Sequence, residues 1–227
     1  YQPNIALISG IAWDHINVFP TYDFYVEQFE IIIQKITNGG ILVYNEDDAE
    51  VKRVAENATN PIRKIAYQTP EYSVENGVTL LETPEGPMPI EVFGAHNLNN
   101  LAGAKWICQN MGVDEADFYE AIASFKGASK RLEKIAETKT AVAYKDFAHS
   151  PSKVKATTEA VKAQYPNRKL VACLELHTYS SLNAEFLKEY EGALDAADVA
   201  VVFYSPDAVK IKQLEEVTYE QISEAFN

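Results

Sequence analysis

Short apolar runs of strand length alternate with segments of helical period along most of this chain, and that alternation admits few folds. Each strand must be covered by the helix that follows it, which leads to parallel strands with helical crossovers. Ile5 to Ile11 is the first such run. Tyr22, Tyr25, Val26, Phe29, Ile32, Ile33 and Ile36 then recur at helical spacing, and Gly39-Gly40 closes that helix. Ile41 to Tyr44 predicts a second strand, with a helix near Asp48 to Asn57. Between Glu71 and Phe93 the period changes to two: Tyr72 with Val74, Thr79 to Thr83 and Met88 to Phe93 are strand-like, separated by Asn76-Gly77 and Pro84-Glu85-Gly86-Pro87. Asn-Gly is a hairpin signal, so a small antiparallel meander is expected there. Helices follow at about Asn97 to Met111 and Asp114 to Phe125.

A second α/β unit is expected after Gly127, which divides the chain into residues 1–127 and 128–227. Ala141 to Tyr144 is a strand, and Ser150-Pro151 has the cap-then-proline order of a helix start. Val154, Thr158, Val161 and Tyr165 form that helix's apolar stripe. Leu170 to Leu174 and Val199 to Tyr204 are expected as buried strands with a helix between them from Asn183 to Leu194, and Thr218 with Gln221 predicts a capping box for a last helix. The expected class is α/β with a parallel, doubly wound sheet.

Composition removes several functions. A formal charge of −13 argues against a nucleic-acid or anionic-membrane surface, because neutralising phosphates takes clustered Lys and Arg. No apolar run approaches the roughly 20 residues of a membrane span, and Tyr1-Gln2-Pro3-Asn4 has no basic signal-peptide start. Cys108 and Cys173 lie far apart in apolar text. They are expected as buried free thiols of a cytoplasmic protein, with a disulfide or metal pair as the alternative.

Three polar clusters fall where a strand or turn gives way to a helix or loop, the place where α/β folds put ligands: Asp14-His15, Gly94 to Asn100, and Asp146 to Pro151. A carboxylate and an imidazole just past a strand can reach a divalent cation or its waters; a surface Asp-His pair is the plain alternative. Asn97 and Asn100, three apart at a helix start, share a face, and an amide offers the donor and acceptor that match an adenine edge. Ordinary capping by Asn97 explains them as well. Lys130-Arg131 is by itself an exposed basic pair, although an arginine fork suits phosphate oxygens.

Together and in this order, these clusters resemble the Mur ligases, ATP-dependent enzymes that build the peptide of bacterial cell walls. The resemblance implies that His15 is a magnesium ligand. His96, Asn97 and Asn100 match the family's His-Asn-x-x-Asn, whose asparagines hold the adenine of ATP. Phe125 to Glu133 resembles a stretch whose arginine, here Arg131, contacts ATP phosphates. Lys145 to Pro151 is similar to Asp-[Tyr/Phe]-[Gly/Ala]-His-His-Pro, which implies a nucleotide contact for Asp146 and, with Arg131 and His149, a catalytic role. Ser150 replaces the second histidine and is expected to cap the helix. Where several members carry a modified lysine, this chain has Phe29 and Glu30. That resembles the branch of murein peptide ligases and UDP-N-acetylmuramate–L-alanine ligases, and Trp13 to Phe19 is closer to the former. The loop Glu175 to Asn183 would face the amine, with His177 and Ser180 as substrate contacts.

The implied fold is the later part of a central ATPase domain followed by an incomplete Rossmann-like C-terminal domain. The implied reaction is amide-bond formation between UDP-N-acetylmuramate and a murein tripeptide, or L-alanine, through an acyl phosphate, with ATP and Mg2+. None of the ten glycines is followed by lysine, so the GxxxxGK[ST] phosphate loop is not in this sequence. The expectation is therefore a fragment inactive by itself, or else a non-catalytic nucleotide-binding or interaction module.

Overall fold

The computed structural model describes residues 1–226, which divide into two compact units. The first comprises Tyr1–Trp13 and Val18–Phe125; the second comprises Asp14–Asn17 with the chain from Lys126 onward.

In the first unit, β1 (Ile5–Ile8), β2 (Ile41–Asn45) and β3 (Arg63–Tyr67) form a parallel sheet in that order. The crossovers are α1 (Tyr22–Gln34) and α2 (Ala49–Asn57). Thr21 starts α1 by accepting the Phe24 N–H, satisfying one donor that a helix start leaves open. Asp48 does this twice for α2, for Glu50 and Val51, while its other oxygen accepts the Ile11 N–H at 2.9 Å. One carboxylate thus begins a helix and anchors the loop that leaves β1. The expected stripe of α1 buries Val26 and Ile33 against Leu42, Val51, Val54 and Ala55. Each of these valine, leucine and isoleucine side chains contributes about 1.5–3 kcal/mol by burial. The third strand is not foreseen in the sequence, because Arg63-Lys64 open it and only Ile65 and Tyr67 are buried.

The meander forms as β4 (Tyr72–Glu75), β5 (Val78–Thr83) and β6 (Gly86–Ile90). Asn76 and Gly77 both take positive φ, as the two-residue turn requires. Pro87 and Pro89 sit in β6, an edge strand, where a missing N–H is tolerated. Two helices follow, α3 (Ala95–Asn110) and α4 (Glu115–Ala123). One face of α3 packs Leu98 and Leu101 with Leu81, Ile90 and Phe118; another packs Ala102 with Val43, Ile65 and Tyr67. This helix therefore joins the meander's core to the parallel sheet's.

The second unit contains an antiparallel pair, β7 (Glu133–Glu137) with β8 (Val142–Lys145), and a parallel pair, β9 (Val171–Leu176) with β10 (Val199–Tyr204). The helices are α5 (Pro151–Gln164), α6 (Pro206–Ile211) and α7 (Tyr219–Ala225). The capping box of Thr218 and Gln221 is present. Three expectations need correction. The helix foreseen over 183–194 is a short 3-10 turn, Phe186–Tyr190: the Asn183 side chain starts it by accepting the Glu185 and Phe186 N–H groups, and Gly192, at φ 71°, turns the chain away just after it. Ser150 is the N-cap of α5 but makes no side-chain capping bond. Among the described residues β8 does not pair with β9, so the unit has two two-stranded ladders in place of one doubly wound sheet.

Nor are the thiols buried: Cys108 is half-buried and Cys173 exposed. Alternation along β9 explains Cys173, since Leu174 and Leu176 point inward while Val171 and Cys173 share the outer face. No helix of the described residues is long and apolar enough to cross a membrane.

Candidate functional site

The two units each carry a polar centre at the carboxyl ends of strands. In the first, Gly94 opens α3 with φ 90°, a backbone that L side chains rarely adopt. It brings His96, Asn97 and Asn100 into the first two turns of the helix. His96 and Asn97 are half-buried and Asn100 is exposed. Asn97 Nδ2 donates back to the Phe93 carbonyl at 2.9 Å, which fixes the amide's orientation and leaves its oxygen for another donor. Asn97 thus does not cap the helix; Gly94 is the N-cap.

A buried network stands beside this turn that the sequence reading did not find. Asn99 Nδ2 donates to Asn45 Oδ1 at 3.0 Å and to Thr69 Oγ1 at 3.1 Å, while Asn99 Oδ1 accepts the Tyr67 hydroxyl at 3.3 Å. Asn45 Nδ2 in turn donates to the Ser9 carbonyl at 3.0 Å. Two amides, Asn99 and Asn45, thus tie the ends of β1, β2 and β3 to α3. A signal was available: Asn45 closes an apolar strand, and Asn99 lies among the apolar positions Leu98, Leu101 and Ala102.

The centre of the second unit is charged. Asp14 is 4% exposed, and its Oδ2 stands 3.4 Å from His15 Nδ1, 3.4 Å from His149 Nε2 and 3.8 Å from Lys153 Nζ. At those separations it has no hydrogen-bond partner among the described residues. Oδ1 accepts the His15 N–H at 2.7 Å, and His15 is held at φ 57°, uncommon for a residue with a side chain. Burial works against the Asp14 charge, but the His149 contact, the His15 N–H and the two imidazoles outweigh it and hold the carboxyl at about 2. The same contact with Asp14 raises His149, against its own burial.

Around this cluster, the His149 ring lies 5.0 Å from Phe147 and 5.8 Å from His177, centroid to centroid. Ser180 Oγ accepts the Ile16 N–H at 3.2 Å and is 2% exposed, so it secures the loop bearing Asp14 and His15 and does not present a hydroxyl to solvent. Tyr190, fully buried, donates its hydroxyl to the His149 carbonyl. Asp146 is occupied differently: its oxygens accept the Leu132 N–H at 2.7 Å and the Ala148 N–H at 2.6 Å. That clamps the turn bearing Arg131, whose side chain is exposed. The second unit thus gathers His15, His149 and His177 around Asp14, with Ser180 supporting them from behind.

The described residues hold no group of three or more His, Cys, Asp or Glu able to cage a metal. A buried carboxylate oxygen without a hydrogen bond, beside an exposed imidazole, fits a Mg2+ held in part by the protein and in part by phosphate and water, the usual arrangement for that ion.

Residues 1–108 match the Mur ligase middle domain. The chain is 29% identical over 217 residues to a UDP-N-acetylmuramate–L-alanine ligase from Caldicellulosiruptor bescii, covering 89% of this chain and 47% of that protein. A murein peptide ligase from Psychrobacter arcticus has the same fold at 18% identity and a TM-score of 0.61, covering 99% of this chain and 47% of that one. So does a MurF ligase from Thermotoga maritima in complex with ADP, at 17% identity and a TM-score of 0.64, covering 99% and 61%. The chain spans about half the length of the curated relatives it matches.

Proposed function

Because residues 1–108 match the Mur ligase middle domain, we propose that this chain supplies the base-binding and amine-side parts of an ATP-dependent ligase. The reaction joins the lactyl carboxylate of UDP-N-acetylmuramate to an amine, with ATP activating the carboxylate as an acyl phosphate. The observation that supports this reading best is the buried Asp14 Oδ2, which faces two imidazoles and a lysine without a hydrogen bond. A site of that kind suits chemistry that consists mostly of positioning and charge neutralisation.

Each residue has a part in it. Asn97 and Asn100 hold the adenine edge from α3, with His96 beside them. Asp14 and His15 hold Mg2+, which supplies charge neutralisation to the phosphates. Arg131 grips phosphate oxygens from a turn that Asp146 clamps. His149, oriented by Asp14 and by the Tyr190 hydroxyl on its carbonyl, holds a proton at Nε2 beside the reacting groups. His177 faces the amine.

The amine is a murein tripeptide in our reading, following the Trp13 to Phe19 context. L-Alanine is the second reading, favoured by the name of the Caldicellulosiruptor bescii relative. Intact protein bearing this segment, supplied with UDP-N-acetylmuramate and ATP, should release phosphate when the preferred amine is added. Release with L-alanine and none with tripeptide reverses the choice; none with either, in protein that binds ATP, overturns the ligase reading.

A further inference from the structure

Asn99 lies between the two amides assigned to the base, yet it points the other way, into the protein. It is 7% exposed, and all its bonds run to the sheet: to Asn45 at the end of β2, to Thr69 just past β3, and from Tyr67, the last residue of that strand. Side chains at successive helical positions are about 100° apart, so the direction of Asn99 sets the direction of Asn100 and Asn97. Hydrogen bonds are directional where apolar contacts are not. A leucine of similar size at position 99 would bury as well and would leave the helix free to turn or slide.

A second feature serves the same contact. Gly103, one turn further along α3, lies against Tyr67, and a Cβ there would meet the Tyr67 hydroxyl at 2.9 Å and Leu7 Cδ1 at 3.0 Å. The missing side chain lets the phenol come close to the helix and reach Asn99. A glycine in mid-helix costs about 0.5–1 kcal/mol relative to alanine, so its use here favours close approach over helix propensity.

We infer that Asn99, braced by Asn45, Thr69 and Tyr67, is a positioning residue that fixes the rotation of α3 and so sets the selectivity for adenine at Asn97 and Asn100. The inference builds on the base-binding role proposed above for those two amides. Loosening the network should erode discrimination between bases, not merely stability. A guanine nucleotide presents the wrong edge to the amides and has nothing to lose when they shift.

The test titrates ATP and GTP separately into intact protein by calorimetry, alongside thermal melts. Asn99→Leu should weaken ATP binding about ten- to a hundredfold, as expected for misaligned paired bonds, and leave GTP binding within about twofold. Tyr67→Phe removes a single bond and keeps the ring, so it folds even if the leucine variant does not; it should reduce the ATP-to-GTP preference about three- to tenfold. Thr69→Val should act in the same direction. Variants that melt earlier but keep the full ATP preference would overturn the inference, while Asn100→Ala still abolishes that preference. Asn100→Ala with unchanged ATP affinity would sink the base-binding reading itself, and this inference with it.

Discussion

The two polar centres are built on opposite principles. In the first unit every amide of the Asn45–Asn99 pair is matched, donor to acceptor, in a neutral network buried by α3. In the second, a carboxylate is equally buried but one of its oxygens has only charges around it and no hydrogen bond. A satisfied buried network holds one arrangement of the chain, because every alternative strands a polar group. In the charged centre the imidazoles and the His15 N–H offset the cost of burial, and an oxygen without a hydrogen bond is still left over. On the reading proposed above, the first centre positions its neighbours and the second receives a ligand.

Four substitutions bear on that contrast. The largest effect belongs to Asp14→Asn, which removes the charge and keeps the shape. Ligation by the intact enzyme should fall about a hundredfold, measured as phosphate release with both acceptor and amine present. An Asp14→Asn enzyme of normal rate would make the charged centre structural and erase the distinction. Next comes Gly103→Ala. The added carbon overpacks against Tyr67 and should cost about 1–3 kcal/mol, seen as a melting point lower by several degrees; a higher melting point would mean that helix propensity outweighs contact there.

The third concerns alkaline pH. Burial, with Asp47 nearby, pushes the Tyr67 phenol from 10.0 up to about 12. The folded state holds that proton more tightly than the unfolded one, so the contribution is complete below about 10 and is lost as the pH rises through about 12. Tyr67→Phe, about 1 kcal/mol less stable near neutrality, should lose less than the native protein over that range, and the two stabilities should converge. Parallel stability curves up to pH 12 would place Tyr67 in a wetter setting than the structure gives it. The smallest effect is that of Ser180→Ala. It loses one neutral bond to Ile16 N–H, worth about 1 kcal/mol, and should slow ligation about fivefold without changing amine preference. A change of preference would return Ser180 to the list of direct substrate contacts.

Much of the first unit was readable from period alone. The stripe of α1, the Asn76-Gly77 turn and the start of α2 at Asp48 are local, since the chemistry that makes each lies within a few residues. β3 was missed because two basic residues open it and its apolar content becomes decisive only beside β2. The second unit was harder to read. Leu170 to Leu174 looks like a buried run, but a strand is buried on two faces only when something covers both, and here Val171, Val201 and Phe203 remain 56%, 45% and 51% exposed.

The candidate sites divide along the same line. Residue order alone singled out His15, the His96-Asn97-Asn100 turn and the Asp146 to Pro151 stretch, because a turn with special backbone needs, followed by polar groups, leaves a local mark. Only the tertiary structure decided what each side chain does there. It turned Asp146 onto the backbone of the Arg131 turn, spent Ser180 on Ile16, and drew Asn99, Asn45 and Tyr67 into one network across 54 and 32 positions of chain. Periodicity records which face of an element is apolar; the partner of a buried donor is chosen by whatever the fold sets opposite it, and that depends on the whole chain at once.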